Sequence, residues 1–103
     1  MKYEIKIPRK IKVGGIDYKI VTGKDVELDL SGTNLAGQAC HTSQLIQLSL
    51  NTTPQHLHDT ILHEVLHAIN TVYNHNNLTE DDVTQIAHGL HQVLESMGVR
   101  FVL

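Results

Sequence analysis

The chain has a single cysteine, Cys40, among its 103 residues. No internal disulfide can form, which fits a reducing compartment. No apolar run is long enough to span a bilayer. Met1 to Lys12 alternates apolar with charged residues and does not read as a signal peptide. The chain is therefore expected to be cytoplasmic, with no membrane partner. Basic residues are few: 8 Lys and Arg against 11 Asp and Glu leave a net charge of −3. No basic cluster appears, and nothing in this balance suggests nucleic acid. Internal repeats, linkers and low-complexity stretches are missing as well. Residues 1–103 thus make one domain with a modest core and no room for a two-lobed cleft.

Histidine, in contrast, is plentiful, with 8 in the chain. Two of the eight belong to the motif around which the rest is organised, His63-Glu64-Val65-Leu66-His67. Residues four apart lie on one face of a helix, so His63 and His67 can reach a single metal ion. Glu64 sits about 100° round from His63, beside such an ion rather than on it. Zinc peptidases need this arrangement: two imidazole ligands and a carboxylate able to take a proton from water. Shuffling this composition yields the pattern in roughly 3% of chains. The plain alternative is a helix that happens to expose two histidines. The apolar periodicity of Ile61, Leu62, Val65, Leu66 and Ile69 supports the helix itself.

Before the motif the chain reads as strands. Tyr3 to Pro8 alternates. Ile11–Val13 and Ile16–Val21 flank Gly14-Gly15, a hairpin signal. Asp25 to Leu30 alternates too and reads as a strand or an irregular crossing segment. Leu35 to His41 is a further candidate strand, and Leu45 to Leu50 a clearer one. Thr53-Pro54 then opens a helix expected to reach Tyr73. After the polar Asn74 to Asn77, Thr79 caps a second helix with acids in its first turn. Its apolar stripe runs Val83, Ile86, Ala87, Leu90, Val93, Leu94, Met97, and Gly98 stops it. Val99 to Leu103 reads as a last strand or docked tail. The expected fold class is α+β: a small, mostly antiparallel sheet of three to four strands packed with two helices.

A catalytic zinc site needs a third protein ligand. The head of the second helix can supply it, because a short loop makes the two helices neighbours. On a helical wheel Asp81 points away, while Glu80 and Asp82 each fall roughly 80° from the stripe, on opposite sides. Glu80 is favoured by its reach and its register with Val83 and Ala87, with Asp82 the alternative. Dipole complementation alone would also account for both acids. His56, His58, His88 and His91 read as surface residues, and His75 as a loop residue. His41 is a lesser candidate near the metal or a substrate. Cys40 reads as core. Asn70 is placed to hold an imidazole from behind.

The strand Leu45–Leu50, the stretch Asp59 to Ile69 and the run Leu78-Thr79-Glu80 to Leu90 resemble short gluzincin-like zinc metallopeptidases. Many of these are phage or prophage proteins. The likeness covers residues 35 to 97. It implies a minimal zincin-like fold and one Zn2+ ion held by His63, His67 and a glutamate on the following helix. Glu64 is then the general base. Glu80 matches the family's usual Leu-Ser/Thr-Glu, whereas the register of repressor-cleaving relatives falls on Asp82. The implied function is hydrolysis of a peptide or protein substrate, which could add as a strand to a free sheet edge. Tyr73, His41 and His88 are candidate donors to the tetrahedral oxyanion. Such an enzyme could be held latent by its own tail, Gly98 to Leu103. The competing expectation is a non-catalytic peptide-binding module with a zinc-stabilised or vestigial site.

Overall fold

The computed structural model describes residues 2–103. Nine elements follow one another: β1 (Tyr3–Lys6), β2 (Lys10–Val13), β3 (Ile16–Val21), α1 (Lys24–Leu30), β4 (Gly37–Cys40), β5 (Leu45–Leu48), α2 (Pro54–Tyr73), α3 (Glu80–Ser96) and β6 (Val99–Val102). The class is α+β. Four strands form one sheet in the order β2-β3-β5-β4, and β1 and β6 form a separate two-stranded sheet. The large sheet is mixed: β2–β3 and β4–β5 are antiparallel, β3–β5 parallel. The β1–β6 pairing is also parallel. A parallel pair needs a crossover, which α1 and β4 supply between β3 and β5.

Gly14 and Gly15 turn the β2–β3 hairpin with φ of 59° and 82°. Two successive positive φ values are what a tight primed turn requires, and glycine adopts them without strain. The segment after β3 differs from expectation, since Lys24–Leu30 is a helix. Val26, Leu28 and Leu30 alternate like a strand, yet Leu28 is 73% exposed while Val26 and Leu30 are buried. Those two stand one helical turn apart, so the relevant period was four rather than two. Glu27 pins this helix, accepting hydrogen bonds from the Ser49 hydroxyl at 2.7 Å and the Leu50 N–H at 2.8 Å.

Helix α2 begins where Thr53 Oγ1 accepts the His56 N–H at 3.1 Å, with Pro54 in the first turn. Leu57, Ile61 and Ala68 bury against Val13, Tyr18, Ile46 and Leu48 of the sheet. Each large aliphatic buried there contributes about 1.5–3 kcal/mol. Helix α3 starts from a capping box, with Asp82 N–H on Thr79 Oγ1 (3.1 Å) and Thr79 N–H on Asp82 Oδ2 (3.0 Å). Among the described residues no helix is long and apolar enough to cross a membrane.

Candidate metal centre

The helix carrying the motif and the head of α3 meet at three side chains. Glu80 Oε1 lies 2.9 Å from His63 Nε2, and Glu80 Oε2 lies 2.8 Å from His67 Nε2. The two Nε2 atoms are 3.1 Å apart. Four bonds of about 2.0–2.1 Å in a tetrahedron hold neighbouring donors roughly 3.3 Å apart. The three side chains therefore need to spread by only a few tenths of an ångström to accept such an ion. Two imidazoles and one carboxylate also form a donor set that zinc favours.

Asp82 is elsewhere. Its carboxylate faces back to the Thr79 N–H in the capping box, which leaves Glu80 as the acid at the two histidines. The wheel could not separate these residues, because it does not show which flank of α3 carries a cap.

Asn70 brings Glu80 to this position. Its Oδ1 accepts the Leu78 N–H at 3.1 Å, and its Nδ2 donates to the Leu78 carbonyl at 3.2 Å. Asn70 thus grips the loop just before α3 rather than an imidazole, as its place on the motif face had suggested. The loop reverses through His75 and Asn76, with φ of 52° and 57°.

Glu64 is buried, with 7% of its surface exposed. Burial pushes its carboxyl up to about 7, helped by the charge of Glu80 and opposed by the Ala39 N–H. A carboxylate poised near neutrality can accept a proton in one step and release it in the next. A cation held at His63, His67 and Glu80 would pull that value down. His67 is held below its ordinary value, mainly by burial and then by the charges around it, with Glu80 opposing. A cavity of about 190 Å3 opens on the group, lined by Gly37, His56, Asp59, His63, Glu64 and Glu80. Sequence reasoning passed over Asp59. Its signal was its place one turn before His63.

The edge of the sheet runs beside this cavity. The Ser49 N–H bonds the Ala36 carbonyl at 2.8 Å, so residues 36 and 49 form a hydrogen-bonded pair. Alternation along β4 then turns the main-chain groups of Gly37 and Ala39 outward. The Ala39 N–H is the one that meets Glu64.

The remaining candidates fall outside the centre. His41 is held by Tyr18 Oη on Nδ1 and Thr71 Oγ1 on Nε2, each at 3.1 Å. Thr71 donates its own proton to Asn76 Oδ1 at 2.8 Å, so it accepts from His41. Both ring nitrogens are therefore committed. Cys40 is exposed rather than core, and its Sγ accepts the Ser43 hydroxyl at 2.8 Å. Its place at the end of an edge strand leaves it uncovered. The tail, expected to be able to lie over the cleft, forms β6 instead, and none of its described residues lines the cavity.

His58 was read as a surface residue but is fully buried, and His91, at 15% side-chain exposure, is largely so. His58 is covered because β6 docks on this side of α2 and sets Phe101 against its ring, and His91 lies edge-on to His58 across the α2–α3 contact, neither of which the helical wheel could foresee. With Glu95 they form a second convergent group. It is a poor metal site. His58 Nδ1 accepts the Phe101 N–H at 3.0 Å, so in the neutral ring the proton sits on Nε2 and no lone pair faces the group. Glu95 is already engaged by Arg100 through two bonds of 2.8 and 3.1 Å. His91 and His88 both bond Asp59 Oδ1, at 3.1 and 3.0 Å. This cluster clasps β6 and α3 to α2.

No family model matches the chain, and no curated protein or solved structure matches it either.

Proposed function

We propose that the chain is a zinc metallopeptidase of the short gluzincin-like kind, acting on a peptide or protein substrate. The observation that carries this reading is the convergence of His63, His67 and Glu80 with the buried carboxyl of Glu64 beside them. His63 and His67 would hold the ion through Nε2, and Glu80 through its carboxylate. When bound, zinc supplies Lewis acidity, polarising a carbonyl and making water a stronger acid. Glu64 takes the proton from water and passes it to the leaving amine. An extended substrate adds to the outer edge of β4, where the Gly37 N–H and C=O and the Ala39 C=O face outward. That edge runs past Glu64, so strand addition brings a peptide bond to the carboxyl that must serve it.

The same edge would suit a peptide-binding module with a vestigial site, and one substitution separates the two. Glu64→Gln should leave zinc at about one ion per chain and abolish cleavage of a broad peptide library. A wild-type protein that holds zinc yet cleaves no more than Glu64→Gln would rule out the enzyme and leave the binding module.

A further inference from the structure

We infer that Asp59, His88 and His91, with His56 beside them, form a second site for a first-row divalent cation, one layer along the α2–α3 seam from His63, His67 and Glu80.

The pattern begins in the sequence. His56 and Asp59 stand three apart on α2, and His88 and His91 three apart on α3, so each pair shares a helix face. The two faces meet. Glu80, at the head of α3, reaches His63 and His67, while His88 and His91, further along α3, reach back to Asp59, earlier in α2. All four side chains line one cavity of about 270 Å3, together with Thr53 and Gln55. Metal sites between facing helices are built in this way, from inward-facing ligands that include pairs three apart.

Asp59 is the centre of the group. Its Oδ1 accepts from His88 Nδ1 at 3.0 Å and from His91 Nδ1 at 3.1 Å. An ionised carboxylate only accepts, so each Nδ1 carries a proton there. A cation can take the place of those protons, because neighbouring donors around a tetrahedral zinc ion stand roughly 3.3 Å apart. Burial works to raise the Asp59 carboxyl, but the hydrogen bonds from the two imidazoles outweigh it and hold the group below its ordinary value. Asp59 is therefore charged at neutral pH, and no Lys or Arg lines the cavity to balance it.

His91 is fixed in place. Its side chain is 15% exposed, and the His58 ring meets it edge-on at 4.8 Å. Glu95 Oε1 stands 3.7 Å from its Nε2, and Arg100 anchors Glu95. An imidazole that gives its Nδ1 to a metal keeps a proton on Nε2, and a carboxylate behind that proton is the usual outer partner. This is the face of His91 opposite the one closed by His58 and Glu95. The donors are less tightly gathered than those of the first centre, which all lie within 4.8 Å of one another. His88 closes the difference: its side chain is 63% exposed and free to swing onto an ion. Calcium and magnesium want six or more oxygens and find one carboxylate here. Imidazoles with a single carboxylate suit zinc, nickel or copper instead.

Zinc alone is the probe, with Cys40→Ser throughout to remove the exposed thiol. His63→Ala with Glu80→Ala takes two ligands from the first centre, so the ion count in that variant reads the second site whether or not the first holds zinc. Equilibrium dialysis at pH 7.5 and tens of micromolar free zinc should give about one ion per chain. Adding His88→Ala should weaken that ion at least about 10-fold, with circular dichroism showing retained helix. Adding His75→Ala instead, in the loop before α3, should leave it unchanged. No bound zinc in the first variant overturns the inference. So does an ion held equally well with and without His88, or one lost as readily with His75.

Discussion

Gly37 of the edge strand and Thr60 of the motif helix meet with no space for a side chain between them. A Cβ on Gly37 would stand 2.7 Å from Thr60 Cγ2 and 2.9 Å from the Gln47 carbonyl oxygen. The second of these is backbone and cannot move cheaply. Gly37→Ala should therefore cost about 1–3 kcal/mol in urea unfolding, the usual penalty of overpacking. Thr60→Ser removes one of the two obstacles. In the double variant it should recover part of that loss, and additive costs would show that the two sites are not coupled. Because this contact sets β4 beside Glu64, Gly37→Ala should also slow any peptide cleavage.

Glu80 and Asp82 both open α3, but they meet different partners. Glu80→Ala removes the carboxylate shared by His63 and His67. Zinc affinity should fall by more than the roughly 10–100-fold that loss of an outer partner brings. Asp82→Ala leaves those three side chains in place and deprives the Thr79 N–H of its acceptor. Its expected effect is about 0.5–1 kcal/mol of stability with zinc affinity unchanged. Competition against a chromogenic chelator, alongside thermal melts, reads both quantities. Equal affinities in the two variants would remove Glu80 from the ligand set.

His58 should make stability depend on pH. Its ring is held below its ordinary 6.5, first by burial and then by the charge of His91, with Arg100 adding to this and Glu95 and Asp59 opposing. Its folded value therefore lies below the unfolded one. Above the unfolded value both states are neutral, and His58 has no effect. As pH falls below about 6.5 the unfolded chain takes up a proton that the folded chain refuses. Stability drops with a slope approaching about 1.4 kcal/mol per pH unit until the folded value is passed. Protonation also takes the lone pair that receives the Phe101 N–H. In His58→Gln the side-chain carbonyl can still accept that bond, so the difference in urea midpoint between wild type and variant should shrink from pH 7.5 to 5.5. A constant difference would show that His58 does not titrate differently on folding.

The limits of the α2 and α3 helices were legible because their signals are local. Thr53-Pro54 and Thr79 with its acids mark the starts, and Asn74 and Gly98 mark the stops. The spacing of His63 and His67 was legible for the same reason. The parallel pairings of β3 with β5 and of β1 with β6 were not, since strand order depends on partners far apart in the chain. The burial of His58 was hidden likewise, because it depends on where β6 docks. Asp82 and Glu80 could not be separated until the capping box was visible. The α3 stripe misled in another way: periodicity marks which residues are apolar but not which of them the rest of the molecule covers.

Asn70 acts on the centre without touching it. Three hydrogen bonds leave its side chain: two to the Leu78 backbone and one from Asn74 Nδ2 to its Oδ1 at 3.2 Å. At 5% exposure the side chain is nearly dry, so deleting it strands the Leu78 N–H and C=O. An unsatisfied buried group costs about 1–3 kcal/mol, and Asn70→Ala should lose at least that. Leu78 lies two residues before Glu80, so the loop that positions Glu80 beside His63 and His67 gains freedom. Zinc binding to Asn70→Ala should weaken by about 10–100-fold, as for other supporting partners. Asn70→Asp separates the two effects. It keeps an acceptor for the Leu78 N–H but sets a carboxylate oxygen against the Leu78 carbonyl, so it should be no more stable than the alanine variant. If zinc affinity stays at the wild-type level in both variants, the loop does not need Asn70 to deliver Glu80.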